Sequence, residues 1–350
     1  MSKRKIKIAA LCLFGVIAVT ACIMFIPRTG KKVSDVWSAT DEFDSDSIAT
    51  VTKQKDKPFR IMLFTDLQLW SDILANNEVF RLTDELVDEV RPDMIITLGD
   101  NVSGISTDIL TLSFIEKMES YKVPWAPVFG NHDSEGNATL EWQADKFEKA
   151  DYCLFRRGPS NLYGLGNYAV NVVEDGEVIE TLFMFDNGRY YDYGAEGKRE
   201  IYMGYEQIAW YEWTVNGMAA AEGKTVPSMA FSHFAMPQFR TAVERICYQD
   251  ENGFYRVPEE YGSGYCKYLP GTAPVDSGFI DVAKRLGSTT HVFCGHDHEN
   301  NASIAYDGIV YTYGLKTGCS PKPWNDADFY GATVIEIDKD VRVFNVTRDK

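Results

Sequence analysis

Val292-Phe293-Cys294-Gly295-His296-Asp297-His298 is the stretch from which the rest of the chain is read. A short, β-prone apolar run stops at a glycine, and two histidines follow at positions i and i+2. In an extended segment those two side chains lie on the same side. Two imidazoles just past a buried strand are a pair able to hold a metal ion. The 350 residues contain five histidines. Four of them, His132, His233, His296 and His298, fall in stretches of this kind.

Working outward, the same grammar recurs. An apolar strand over 59–65 ends in Asp66-Leu67-Gln68. A helix is predicted near 76–90, with Val79, Leu82, Leu86 and Val90 at three- and four-residue steps. Arg91-Pro92 stops it. A second strand, Met94 to Leu98, ends in Gly99-Asp100-Asn101, and a helix near 108–121 follows. A third strand over 123–129 ends in Gly130-Asn131-His132-Asp133. Strand and helix in alternation imply a parallel sheet, whose ligands bind beyond the carboxyl ends of the strands. A later strand over 229–232 ends at His233. Helices are expected near 204–221 and 276–286, with a Tyr-, Gly- and Pro-rich excursion over 247–275. Hairpins are expected around Asp307-Gly308 and over 333–346. The second half is expected to form a second mixed sheet stacked on the first.

The composition is globular, 45% hydrophobic and 25% charged, enough for a sizeable core. No fixed period repeats, which excludes a solenoid. The N-terminus differs. Lys3, Arg4, Lys5 and Lys7 precede an apolar run over 8–26, and Arg28, Lys31 and Lys32 follow it. Such a run is long enough to span a bilayer as a helix, and the basic start predicts that the remainder lies outside the cytoplasm. The expectation is a single-pass membrane anchor over 1–32, an acidic and polar tether over 33–56, and one domain over 57–350. Val19-Thr20-Ala21-Cys22 offers an alternative, a lipid on Cys22, and a cleaved signal with secretion is a third.

Seven of the 35 Lys and Arg lie in the first 32 residues, so 28 remain against 51 Asp and Glu, a balance of −23. A body so acidic repels polyanions, and no nucleic-acid partner is expected. An anionic substrate needs a local positive charge, which bound metals supply. Cys153, Cys247, Cys266, Cys294 and Cys319 match no zinc spacing. They are read as mostly buried thiols, with Cys247 and Cys266 the pair open to bridging.

Collected, the strand-end stretches offer carboxylate and amide oxygens and imidazole nitrogens, without thiolate. That set suits divalent Mn, Fe or Zn. A carboxylate shared by two ions, with ligands on each side, is a centre for phosphoryl transfer. The five blocks, in this order, resemble the calcineurin-like metallophosphoesterase family. Phe185-Asp186-Asn187-Gly188, Gln207-Ile208-Ala209-Trp210-Tyr211 and Tyr330-Gly331-Ala332-Thr333-Val334 resemble its purple-acid-phosphatase-like branch.

The resemblance implies a four-layer α/β/β/α sandwich of two mixed sheets holding two divalent metal ions. It implies that Asp66, Gln68 and His298 hold one ion, that Asp100 bridges, and that Asn131, His233 and His296 hold the other. His132 would be no ligand but a general acid toward the leaving oxygen. The implied activity is hydrolysis of a small phosphomonoester or phosphodiester by a hydroxide that the ions activate. Two departures stand out. Gln68 replaces the family's usual histidine with a weaker donor. Ser103 stands where relatives carry a Tyr or an Asp, so no tyrosinate colour is expected and the partner of His132 is open, with Asp133 a candidate. Two rivals are a metal-binding pseudoenzyme, supported by Gln68, and a nuclease, opposed by the charge balance. Arg189 and the tyrosines over 190–205 and 255–268 are further candidates for substrate contact, against a solvated loop and core packing.

Overall fold

The computed structural model describes residues 27–30, 35–319 and 329–349. Two mixed sheets form the body. The first runs, edge to edge, Val341–Asp349, Phe329–Ile337, Phe59–Phe64, Met94–Leu98 and Trp125–Val128. Its last three strands are parallel, as the strand-helix alternation predicts. The second runs Ala49–Thr52, Tyr168–Glu174, Glu177–Met184, Ser228–Phe231, Thr289–Cys294, Ile309–Tyr313, Ser303–Tyr306 and Gly262–Ser263.

Strand alternation explains the stacking. Val170, Val172, Leu182, Met184, Met229, Phe231 and Phe293 join Ile61, Leu63, Ile96 and Val128 in one core. Their in-between neighbours Ala169, Phe183, Phe185, Ala230, Val292 and Cys294 belong to a second core with Trp210, Tyr211, Phe279 and Ile280. One face of the second sheet therefore meets the first sheet, and the other meets the helices Tyr205–Glu222 and Phe279–Leu286. Helices Ile73–Val90 and Thr107–Ser120 supply Val79, Leu82, Leu86, Leu110, Phe114 and Met118 to the first core. The four layers are helix, sheet, sheet, helix. Phe231 and Phe293 stack across the two central parallel strands at 5.0 Å, which fixes how the site-bearing ends of those strands align.

The structure corrects several expectations. The last hairpin belongs to the first sheet, because Phe329–Ile337 pairs antiparallel with Phe59–Phe64. Part of the expected tether is built into the domain. Ala49–Thr52 pairs parallel with Tyr168–Glu174, and Trp37 and Phe43 pack edge-on against Trp213. Aromatic residues in that acidic stretch bury area that offsets the cost of ordering it. Cys247 and Cys266 are free thiols, as are Cys153 and Cys294.

The apolar run over 8–26 and Cys22 lie outside the described residues. Among the described residues no helix is long and apolar enough to cross a membrane. The single-pass anchor, and the extracytoplasmic location drawn from it, are set aside on that finding.

Candidate metal centre

The carboxyl ends of five parallel strands from both sheets converge on one point. The loops that follow them bend sharply there. Asp66, Gln68, Asp100 and His296 all have positive φ, at 52°, 46°, 51° and 76°. A side chain in that region costs about 1–3 kcal/mol and persists only where its surroundings hold it. Here the backbone does so. Asp66 N donates to Gly99 O at 3.1 Å, Gln68 N to Asp100 O at 2.8 Å, and Gly318 N to Asp66 O at 3.2 Å. Two glycines allow the loops to close. A Cβ on Gly130 would lie 2.3 Å from both Asp100 N and Asp100 Oδ1, and one on Gly295 would lie 2.0 Å from Thr65 Oγ1.

His296 and His298 share the site, but not by strand alternation. The strand ends at Cys294, and the chain turns through a left-handed His296. Asp66 Oδ2 holds that turn by accepting from His296 N at 3.0 Å. Asp297 points elsewhere, accepting from Tyr313 Oη at 2.6 Å and Gly271 N at 2.8 Å.

Two groups of donors meet at Asp100. Asp100, His233 and His296 offer atoms within 4.8 Å of one another, and so do Asp66, Asp100 and His298. Asn131 Oδ1 joins the first group, 3.0 Å from His233 Nε2. His298 Nε2 lies 3.2 Å from Asp66 Oδ1 and 3.3 Å from Gln68 Nε2. Gln68 Oε1 faces away, accepting from the Lys316 ammonium at 3.2 Å. His291, the fifth histidine, is outside the cluster and bonds Thr290 Oγ1.

This donor set fits divalent ions. Asp100 is 1% exposed, and its Oδ2 has no hydrogen-bond partner. A buried carboxylate oxygen left unpaired is costly unless a cation meets it. That oxygen is 3.5 Å from His233 Nε2. Burial pushes the Asp100 carboxyl up, yet His233 prevails and holds it at about 2. Burial likewise works against Asp66, but His298 holds it well below the usual carboxylate range. Both are anions at neutral pH.

His233 shows the other half of the exchange. Its Nδ1 donates to Leu98 O at 2.7 Å, which aims Nε2 at the site. Burial alone would lower its pKa, but Asp100 raises it to about 10. Without metal this imidazole carries a proton at neutral pH, and a metal must displace it. Titrating Mn²⁺ into the metal-free protein at pH 7 should release about one proton per chain from this position. Calorimetry in buffers of different ionisation enthalpy measures it. The release should shrink as pH rises through about 10, above which the imidazole is already neutral. A release of zero at pH 7 would mean that His233 takes no part.

His132 is absent from both donor groups. Its backbone N donates to Asp100 Oδ1 at 2.8 Å, and its Nε2 lies 3.8 Å from Asp100 Oδ2. Asp133 is not its partner. Asp133 is buried and accepts from Gly130 N at 2.7 Å and Val102 N at 3.0 Å, bracing the two loops. Burial, then the nearby Asp100, pushes its carboxyl up to about 8. The carboxylate beside His132 is Glu135, with Oε1 2.7 Å from Nδ1. Sequence reasoning missed Glu135, although its place three residues after His132 puts it within one turn.

The site opens into a cleft of about 500 Å³ lined by Asp100, Asn131, His132, Glu135, Tyr190, His296, Asp297, His298 and Glu299. Among the described residues no Lys or Arg lines it. Arg189 is tied to Asp186 at 3.1 Å and lies over the Tyr163 ring, as a loop residue does. Of the tyrosine-rich stretches, Tyr190 reaches the cleft, with Oη 3.4 Å from His296 Nε2.

Similarity to known proteins agrees with this geometry. The profile of the calcineurin-like phosphoesterase family matches residues 59–300. The chain is 28% identical over 243 residues to phosphatase DCR2 of Saccharomyces cerevisiae, covering 64% of this chain and 39% of that protein. It is 26% identical over 248 residues to probable inactive purple acid phosphatase 14 of Arabidopsis thaliana, covering 64% and 58%. With probable inactive purple acid phosphatase 29 of the same plant it shares 23% over 338 residues, covering 89% and 82%. The chain thus spans about two fifths and three fifths of the first two relatives. A dimetal phosphatase from Danio rerio superposes with a TM-score of 0.55 at 13% identity, covering 84% of this chain and 97% of that one, a likeness of fold. Strand ends, donor groups and a matched segment of more than half the sequence lead to one statement: the chain belongs to the calcineurin-like phosphoesterase family.

Proposed function

We propose that the chain hydrolyses a small phosphomonoester or phosphodiester at a centre of two divalent ions. The observation that carries this reading is Asp100, a buried anion whose Oδ2 accepts no hydrogen bond and lies between two donor groups. Asp66 and His298 would hold one ion, Asn131, His233 and His296 the other, and Asp100 both. When bound, such ions neutralise phosphate charge and lower the pKa of water. The protein supplies the rest. Leu98 O and Asp66 Oδ2 fix His233 and His296. His132 holds a proton at Nε2 for the leaving oxygen, and Glu135 stands at its other nitrogen. Among the described residues the lining is acidic and without Lys or Arg, which disfavours polyanions, so a nuclease is the weaker reading. The phosphoesterase unit is residues 57–350, joined by the packed segment before it.

A second reading is a chain that binds metal without turnover. It is favoured by Gln68 Oε1 facing Lys316 and by relatives whose names call them inactive. Assaying monoesters, diesters and nucleotides with Mn, Fe and Zn separates the two. Turnover with any of them supports hydrolysis, and none with all three supports the second reading.

A further inference from the structure

Lys316 is 2% exposed and sits beside the metal centre, on the segment that follows the Ile309–Tyr313 strand. Its Nζ donates to Asp66 O at 3.1 Å and to Gln68 Oε1 at 3.2 Å. The segment is anchored there, because Thr317 N donates to Thr65 O at 2.9 Å and Gly331 N to Lys316 O at 3.0 Å. These bonds hold the Lys316 main chain beside the strand-end loops, and its side chain is buried there.

The consequence falls on Gln68. An amide has its lone pairs on oxygen, and its nitrogen donates hydrogen bonds only. With the oxygen held by Lys316, the group turned toward His298 is Nε2, at 3.3 Å. The Gln68 backbone is pinned in a left-handed conformation by its bond to Asp100 O, so a backbone turn cannot re-aim the side chain. The two positions are then unequal. One has Asp100, Asn131, His233 and His296, whereas the other has Asp66, Asp100 and His298.

We propose that Lys316 sets the metal affinity of the Asp66–Asp100–His298 position by holding the Gln68 oxygen out of the ligand set. That position binds its ion more weakly than the Asp100–Asn131–His233–His296 position. Lys316 is a positioning residue, acting through Gln68 and through its own nearness to an incoming cation. The proposal rests on the two-ion reading above.

The test is metal binding, read without turnover, by competition of the metal-free protein with a chelating dye for Mn²⁺ and Zn²⁺. Circular dichroism checks that each variant is folded. The parent should show two classes of site. Outer-shell changes commonly move metal affinity by about 10–100-fold. Lys316→Met should therefore tighten the weaker class by about tenfold or more and leave the stronger class unchanged. Gln68→Met should leave the weaker class within about threefold of the parent, because no metal bond is lost, whereas loss of a true ligand should cost at least about tenfold. If Gln68→Met loosens the weaker class by that larger amount, or folded Lys316→Met leaves it unchanged, the proposal is overturned. Should Lys316→Met fail to fold, Gln68→Met decides alone. Asp100→Asn separates the two levels. If it weakens both classes while the Lys316 and Gln68 results go against expectation, this proposal alone falls. If no form binds metal, or Asp100→Asn binds like the parent, the two-ion reading falls with it.

Discussion

Asp100→Asn is expected to abolish turnover and to lower the metal content of both positions. The side chain is buried, and one oxygen already accepts from His132 N at 2.8 Å. Asparagine can keep that bond through its own oxygen, so the loop should survive. What is lost is the charge. Asp100 is held ionised, at about 2, by His233, and its Oδ2 accepts no hydrogen bond. A neutral amide cannot balance two dications in a site of low dielectric. Several kcal/mol of charge stabilisation at the transition state should vanish, a rate loss on the order of 10³-fold or more. Metal analysis and kcat/KM on the same sample measure it. Near-parental turnover with both ions bound would sink the bridging role.

His132→Ala should behave differently, keeping its metals and losing rate. His132 lies outside both donor groups, and its Nε2 faces Asp100 from the cleft side. General acid catalysis contributes typically about 10²–10⁴-fold. The loss should be greatest for alkyl phosphates, whose leaving oxygen needs a proton. An activated aryl ester needs little help, so its loss should be much smaller. Equal losses on both substrates would show that His132 positions phosphate rather than protonates the leaving group. Glu135→Gln should retain metal and lose less rate than His132→Ala, since Glu135 acts only through the imidazole.

Much of the site was legible because its residues are tied to strand ends, and strands are read from apolar runs. Asp66, Asp100, Asn131, His233, His296 and His298 all follow such runs, and the structure brings them together. The reason given for the histidine pair was incomplete. A left-handed turn at His296, clasped by Asp66, brings the two rings in, and no periodicity announces such a turn. Glu135 and Lys316 were not legible. Glu135 sits in a polar turn where an acid is ordinary, and Lys316 reaches the centre from 248 residues beyond Gln68 in the sequence. Contacts that distant depend on sheet order. That order was also misjudged at the C-terminus, where Phe329–Ile337 crosses back to pair with Phe59–Phe64. The packed segment around Trp37 and Phe43 was hidden by its acidic neighbours, although two large aromatic rings carried the signal.

We propose that this centre hydrolyses phosphate esters only when it holds divalent ions. The most direct measurement strips the purified chain with a chelator, then follows hydrolysis of aryl and alkyl phosphate esters as Mn²⁺, Fe²⁺ or Zn²⁺ is returned in known amounts. Turnover should disappear on stripping and return in step with occupancy, reaching its full value as the second equivalent binds. Turnover that survives complete removal of metal, or its absence with every ion at full occupancy, would contradict the account.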